Sequence, residues 1–314
     1  TSINENELKL FLDQYNVGNL ENFQGILEGI ENTNYKIKTS EDNYILTIFE
    51  KRVNSKDIPF FVNLQNYLAN KNFSCPKPIA NEKGLTINSI NGKLCILISY
   101  LDGKKIQNKS KIHCNQVGNI LSTLHCDTNN YLEKRTNNMS LNQWNNILTK
   151  CKSLTIVNDI HLFNLIKKEL IFLKANWPSN LPKGIIHADV FPDNVFFIKD
   201  KFSGLIDFYF ACHDFLSYDI ALTINAWCFN NNCELEIQNF QSLIQGYEEK
   251  RKITPKEKNS LTILLRGAAI RILLTRLHDK LFHPANAFVE PKDYTEYVKI
   301  LKFHQLNNIK NFLK

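Results

Sequence analysis

The stretch Gly184-Ile-Ile-His-Ala-Asp-Val-Phe-Pro-Asp-Asn-Val-Phe-Phe197, with Gly204-Leu-Ile-Asp-Phe-Tyr-Phe-Ala211 a short turn beyond it, decides how this chain is read. It contains His187-x-Asp189-x-x-x-x-Asn194 and, thirteen residues past Asn194, Asp207. A phosphoryl-transfer site needs a carboxylate that orients and deprotonates the attacking hydroxyl, and further oxygen ligands that hold Mg²⁺ on the phosphates. Asp189 supplies the first, Asn194 and Asp207 the second. Local pattern brings the three together. Residues 185–186 read as a strand leading to Asp189, residues 190–193 turn through Pro192, and residues 195–198 and 205–208 read as a hairpin that returns Asp207 beside Asn194. Taken singly, Asp189, Asp193, Asn194 and Asp207 are ordinary turn and cap residues. The constellation carries the signal.

Working outward, residues 20–100 read as short strands: 23–30, 35–39 and 44–50, with turns at Glu31–Asn34 and Ser40–Asn43. An amphipathic helix over 57–69 follows, with Phe60, Phe61, Leu64, Tyr67 and Leu68 on one face, Asp57 as its cap and Pro59 in its first turn. Two more strands, 85–90 and 93–100, are joined by Asn91-Gly92, the strongest short hairpin signal. Beyond residue 104 the period becomes helical at 112–125 and 160–174, and again at 218–229, 234–250, 256–280 and 294–313, with the β island of 184–208 between. The sequence thus predicts an α+β fold in two lobes. Residues 1–100 form a small antiparallel β lobe with one inserted helix, and residues 101–314 form a larger, mainly helical lobe that carries the catalytic loop and acceptor pocket.

Composition agrees with an enzyme-sized globular protein. The 314 residues are 43% hydrophobic and 22% charged, with a net charge of +7, which argues against disorder or a coiled coil. The lysines are scattered and no run of five or six basic residues occurs, so no nucleic-acid partner is expected. Apolar stretches fall short of the roughly 20 residues of a membrane span, and the polar, acidic start from Thr1 to Asp13 reads as neither a signal nor a transit peptide. A cytoplasmic location is expected. The eight cysteines include no Cys-x-x-Cys pair and mostly sit in apolar runs, which predicts reduced core thiols. Walker A, Gly-x-Gly-x-x-Gly, Gly-x-Ser-x-Gly and His-Glu-x-x-His signatures are absent from the sequence.

On these residues the chain resembles the kinase-like phosphotransferases typified by aminoglycoside phosphotransferases, choline kinase and methylthioribose kinase. Within them it is most similar to the homoserine kinases of the same fold. Gly25-Ile-Leu-Glu-Gly-Ile-Glu-Asn-Thr-Asn-Tyr35, Tyr44-Ile-Leu-Thr-Ile-Phe-Glu-Lys-Arg52, Pro59-Phe-Phe, His187–Asn194, Gly204–Cys212 and Asn225-Ala-Trp-Cys-Phe229 carry that resemblance. It implies a protein-kinase-like fold and ATP-dependent phosphorylation of the L-homoserine hydroxyl, a step of threonine biosynthesis, with ATP and Mg²⁺ as cofactors. By the same resemblance Asp189 is the base, and Asn194 and Asp207 hold magnesium. Asn32, Thr33 and Asn34 belong to a turn over the ATP phosphates, and Ser99, Tyr100 and Leu101 to a hinge for adenine. His125, His187 and Asp219 are read as scaffold for the loop. Choline, methylthioribose or an aminoglycoside as acceptor, or a silent kinase-like binding protein, are the alternatives.

One departure stands out. Protein kinases pair a Lys of the third strand with a Glu of the next helix. Here Thr47 occupies the strand position and the helix offers Phe60 and Phe61. That leaves Lys51 or Arg52, or backbone N–H groups and Thr33 in the turn, to meet phosphate. A homoserine pocket needs a cation for the carboxylate, and Arg suits that role because its fork binds carboxylate bidentately. Arg271 is the preferred candidate and Arg266 the second, with a buried ion pair to Asp214 or Asp219 as the alternative for Arg271. Tyr209 and Trp227, just past the magnesium loop, are candidate walls of the same pocket.

Overall fold

The structure, a computed structural model, describes residues 1–26, 32–50, 53–154, 159–283 and 290–313, without the side chains of 152–154. An N-terminal helix α1 (Glu5–Leu12), which the sequence reading passed over, begins at a capping box in which Asn4 and Glu7 bond each other's backbone. Five strands follow: β1 (Leu20–Ile26), β2 (Asn32–Thr39), β3 (Asn43–Phe49), β4 (Ile87–Ile90) and β5 (Lys93–Ser99). They form one antiparallel sheet in the order β1-β2-β3-β5-β4. The β4–β5 hairpin turns on Asn91 and Gly92, both at positive φ as that dipeptide favours.

Helix α2 (Ile58–Asn70) is inserted between β3 and β4. Its Ile58 and Val62 pack with Phe49, Ile96 and Ile98 of the sheet, while Phe60, Phe61, Leu64 and Leu68 join the core of the helical part. This helix therefore belongs to both cores. Asp57 precedes it without a side-chain capping bond, contrary to expectation, because its carboxylate is engaged by Arg135 at 2.7 Å.

The larger part contains α3 (Lys111–Asp127), α4 (Leu141–Leu154), α5 (Ile160–Asn176), α6 (Leu216–Trp227), α7 (Ile237–Glu248), α8 (Pro255–Leu281) and α9 (Thr295–Leu306). Helix α8 starts at a second capping box, Thr254 with Glu257, with Pro255 in its first turn. The expected helix over 294–313 stops at Leu306 and is followed by a separate 3-10 turn, Ile309–Phe312. Among the described residues no helix is long and apolar enough to cross a membrane. Cys75, Cys95, Cys114, Cys151, Cys212 and Cys228 are buried.

Two short antiparallel strand pairs carry the decisive stretch. Strand β6 (Lys183–Ile186) pairs with β9 (Cys212–Phe215), and β7 (Val195–Ile198) pairs with β8 (Lys201–Leu205). The chain between β6 and β7 carries Asp189 and Asn194, and the chain between β8 and β9 carries Asp207. The turn expected over 199–203 is confined to Lys199 and Asp200, both at positive φ, so the strand expected over 205–208 ends at Leu205 and Asp207 lies beyond it.

Candidate active site

The site starts from a strained backbone. Ala188 has φ +63° and Asp207 φ +64°, a left-handed conformation that costs most non-glycine residues energy and persists only where neighbours fix it. For Ala188 the fixing groups are visible. Asp219, in the first turn of α6 and fully buried, accepts the amide hydrogens of His187 and Ala188, each at 2.8 Å. From the other side Arg271 Nη1 donates to the Ala188 carbonyl at 2.6 Å. The residue before Asp189 is thus held at both its N–H and its C=O.

Asp189 itself accepts from Asn194 Nδ2 at 2.8 Å, and the same amide reaches the Asp189 carbonyl at 2.9 Å. This leaves Asn194 Oδ1 as the side chain's acceptor atom, the atom that suits a hard cation. The Ile206 amide donates to the Asn194 carbonyl at 2.9 Å, which places Asp207 next to Asn194. Burial raises the Asp189 pKa, opposed by the charges of Arg271 and Lys292 and by the Asn194 hydrogen bond, while Asp193 reinforces it. A carboxylate with a raised pKa is a better proton acceptor than an exposed one.

His187 is fixed in one form. Its Nε2 donates to the Ile206 carbonyl at 3.1 Å and its Nδ1 accepts the Asp189 amide at 3.2 Å. Burial lowers its pKa to about 4, so the ring is neutral at neutral pH. It ties the Asp189 loop to the loop bearing Asp207. His125, at the end of α3, donates from Nε2 to Asp219 at 3.1 Å and accepts from the Tyr247 hydroxyl at 2.7 Å. Burial pushes the Asp219 pKa up, but the bonds and charges of His125 and His187 outweigh it and the net shift is downward.

Several expectations change. Asn32, Thr33 and Asn34 are not a turn; they are the first residues of β2, paired with Phe49, Ile48 and Thr47 of β3. Asn is a poor strand former, yet Asn34 is satisfied across the ladder by the Thr47 hydroxyl at 2.8 Å, and Thr33 by Glu50 at 2.8 Å. Asn32 Oδ1 is buried without a partner. The chain between β1 and β2, like Lys51 and Arg52, lies outside the described residues. At the expected hinge, the Ser99 amide bonds the Lys77 carbonyl at 2.9 Å and the Tyr100 amide the Asn43 carbonyl at 3.2 Å. Leu101 lies over Gly204, where a Cβ would collide with it.

Of the acceptor-pocket candidates, Arg266 faces elsewhere. Its fork holds Glu169 bidentately at 2.6 and 2.7 Å over the Phe172 ring, so a carboxylate already fills it. Arg271 is 2% exposed and pairs with neither Asp214 nor Asp219. Trp227 is buried and braces the Asp189 loop, donating from its indole to the Val190 carbonyl at 2.8 Å. Tyr209 stands edge-on to Phe49 and Phe61, at ring distances of 5.3 and 5.7 Å. Aromatic contacts thereby join the Asp207 loop both to β3, through Phe49, and to α2, through Phe61. The sequence reading missed Lys292, whose ammonium pairs with Asp193. No periodicity or motif marks it, because it approaches the loop only through the tertiary fold.

A sequence model of the phosphotransferase enzyme family matches residues 22–253. This chain belongs to that family. The phosphotransferase is 43% identical over 305 residues to the homoserine kinase of Sinorhizobium fredii, covering 97% of this chain and 94% of the relative. Its identity to the homoserine kinase of Xanthobacter autotrophicus is 43%, over 97% of this chain and 95% of that one. Among solved structures it is similar to an amicoumacin kinase in complex with AMP-PNP and Ca²⁺ (TM-score 0.72, 16% identity, 98% of this chain and 94% of that one). A choline kinase from Cryptosporidium parvum superposes with a TM-score of 0.62 at 15% identity, over 91% of this chain and 88% of that one. This phosphotransferase therefore has the two-lobed, protein-kinase-like architecture expected from its sequence, with a small antiparallel sheet lobe and a larger helical lobe.

Proposed function

We propose that this phosphotransferase is a homoserine kinase, transferring the γ-phosphoryl group of ATP to the hydroxyl of L-homoserine in the cytoplasm as a step of threonine biosynthesis. The end-to-end similarity to homoserine kinases carries the acceptor assignment. In this reading the lobes divide near residue 100 and ATP lies between them, with adenine at Ser99–Leu101 and Leu101 packed on Gly204 beneath it.

Asp189 is the base. It receives the hydroxyl proton as the acceptor oxygen attacks, and Asn194 Nδ2 keeps the carboxylate aimed. Asn194 Oδ1 and Asp207 would hold Mg²⁺, which supplies charge neutralisation on the transferred phosphate when bound. Asp219, His187 and Arg271 hold the loop in its strained form before any substrate arrives, so its order is not bought at the moment of reaction.

The test is Mg²⁺-dependent ADP release with L-homoserine, choline, methylthioribose, kanamycin and no acceptor. Release stimulated by homoserine alone is the expected result. Stimulation by another acceptor would keep the phosphotransferase chemistry and remove the homoserine assignment. ATP binding without turnover on any acceptor would replace it by the binding-protein reading that Thr47, in place of a strand lysine, favours.

A further inference from the structure

Homoserine carries an ammonium and a carboxylate beside its reacting hydroxyl, so a site selective for it has to present an anion and a cation near Asp189. Resting on the homoserine kinase reading, we propose that Asp193 and Lys292 are that pair. In the resting enzyme they bond each other, and the acceptor's zwitterion inserts between them, its ammonium to Asp193 and its carboxylate to Lys292.

The cation follows from what the other arginines do. The positive charges that most lower the Asp189 pKa are those of Arg271 and Lys292. Arg271 is buried and anchored on the Ala188 carbonyl. Arg266 is filled by Glu169, Arg276 by Glu296 and the Asp293 carbonyl, and Arg135 by Asp57. Lys292 alone of this group is open to solvent near the reacting carboxylate: its side chain is 53% exposed and that of Asp193 51%. Its backbone is nonetheless held. Arg276 grips the Asp293 carbonyl at 2.6 Å, and the Asp293 carboxylate caps the Thr295 amide at 2.9 Å. Lys292 Nζ also lies 5.9 Å from the Phe191 ring.

The anion is placed by the catalytic loop. Asp193 sits between Pro192 and Asn194 in a single 3-10 turn, and its charge is felt at Asp189. An exposed ion pair of this kind contributes little stability, so opening it costs little. A zwitterion restores a partner to each charge. An acceptor lacking one charge leaves Asp193 or Lys292 without its partner, and an unpaired charged group disfavours that acceptor wherever the acceptor covers it from water.

The experiment compares kcat/KM for L-homoserine, its neutral amide homoserinamide, and 4-hydroxybutyrate, which lacks the ammonium. Wild-type enzyme is expected to prefer homoserine over each by tenfold or more. Lys292→Met is expected to raise the homoserine KM at least tenfold, to abolish the preference over homoserinamide, and to leave the ATP KM and the melting temperature unchanged. Asp193→Asn is expected to abolish the preference over 4-hydroxybutyrate. Because Asp193 adjoins Asn194, Lys292→Met is the deciding variant. If wild-type enzyme turns homoserine over and Lys292→Met keeps its preference for it, or raises the ATP KM equally, the proposal is overturned while the kinase reading stands. If wild-type enzyme fails on homoserine, both fall.

Discussion

Asp219 holds Ala188 in a left-handed conformation by accepting its amide hydrogen at 2.8 Å, while its second oxygen accepts that of His187 at the same distance. One buried carboxylate therefore sets the direction in which Asp189 leaves the loop. Asp219→Asn keeps the shape but loses the charge, and turns either a carbonyl or an NH₂ toward two amide donors. Charge-assisted hydrogen bonds contribute about 1.5–3 kcal/mol each, so kcat is expected to fall at least tenfold and thermal stability with it. Unchanged kcat would remove Asp219 from the positioning of the loop.

Arg271 grips the opposite side of the same peptide unit. Lys at 271 offers a point charge on a flexible stem in place of a planar fork and loses the bond to the Ala188 carbonyl. The expected result is a fall in kcat of roughly tenfold, the rate equivalent of about 1.4 kcal/mol, with the homoserine KM changed far less. A raised homoserine KM at constant kcat would instead put the acceptor carboxylate on Arg271, as the sequence alone suggested.

Asp189→Asn removes the proton acceptor while keeping a partner for Asn194. General-base catalysis contributes about 10²–10⁴-fold, so turnover is expected to drop by that much with ATP affinity retained. Isothermal titration with ATP and Mg²⁺, run beside the coupled assay, separates the two. Substantial residual turnover would show that proton removal is not what Asp189 contributes.

The decisive stretch was legible because its chemistry is local: Asp189 and Asn194 precede one short hairpin and Asp207 follows it, although the turn expected over 199–203 is confined to Lys199 and Asp200, both at positive φ, and the strand expected over 205–208 ends at Leu205. Helix α4 was missed although Trp144, Ile147, Leu148 and Cys151 make a stripe at helical spacing. Its Asn142, Asn145 and Asn146 favour turns in isolation, and only burial against α8 and α5 overrides them. The roles of Arg266 and Arg271 were not legible, because five residues along a helix turn them to opposite partners, Glu169 and Ala188, that are distant in sequence. Asn32–Asn34 read as a turn on composition and became strand because Thr47 satisfies Asn34 across the ladder.

Two buried histidines predict a dependence of stability on acid. His304 is pulled down to about 3 by burial and by the nearby Arg266 charge, and His187 to about 4, whereas an unfolded histidine titrates near 6.5. Between those values the unfolded chain takes up protons that the folded chain refuses, so the stabilisation is fully present above about pH 6.5 and is lost as pH falls. The loss is roughly 1.4 kcal/mol per pH unit for each group. Urea denaturation from pH 8 to pH 5 measures it. His304→Gln, which keeps a donor for Asn225, is expected to remove about one proton from the slope; an unchanged slope would assign the acid dependence elsewhere.

The last prediction links packing to the site through α3 and α7. These helices meet backbone to backbone: a Cβ at Gly118 would overlap the Leu243 carbonyl oxygen, and one at Gly246 the Asn115 carbonyl oxygen. Since the obstruction is main chain rather than a movable side chain, relief requires the helices to separate. Overpacking costs about 1–3 kcal/mol where side chains yield, and Gly246→Ala is expected at or beyond the upper end. The displacement also has a functional direction. Tyr247, the next residue, donates to His125, which donates to Asp219, so moving α7 loosens the brace under Ala188. Gly246→Ala is therefore expected to lower kcat even at temperatures where the protein stays folded, with ATP affinity less affected. Gly25→Ala, in β1, where among the described residues a Cβ would meet only the Tyr35 ring at ordinary contact distance, serves as the control that leaves the melting temperature near wild type. Equal melting temperatures for the two variants would show that α3 and α7 are not held in contact as the structure has them.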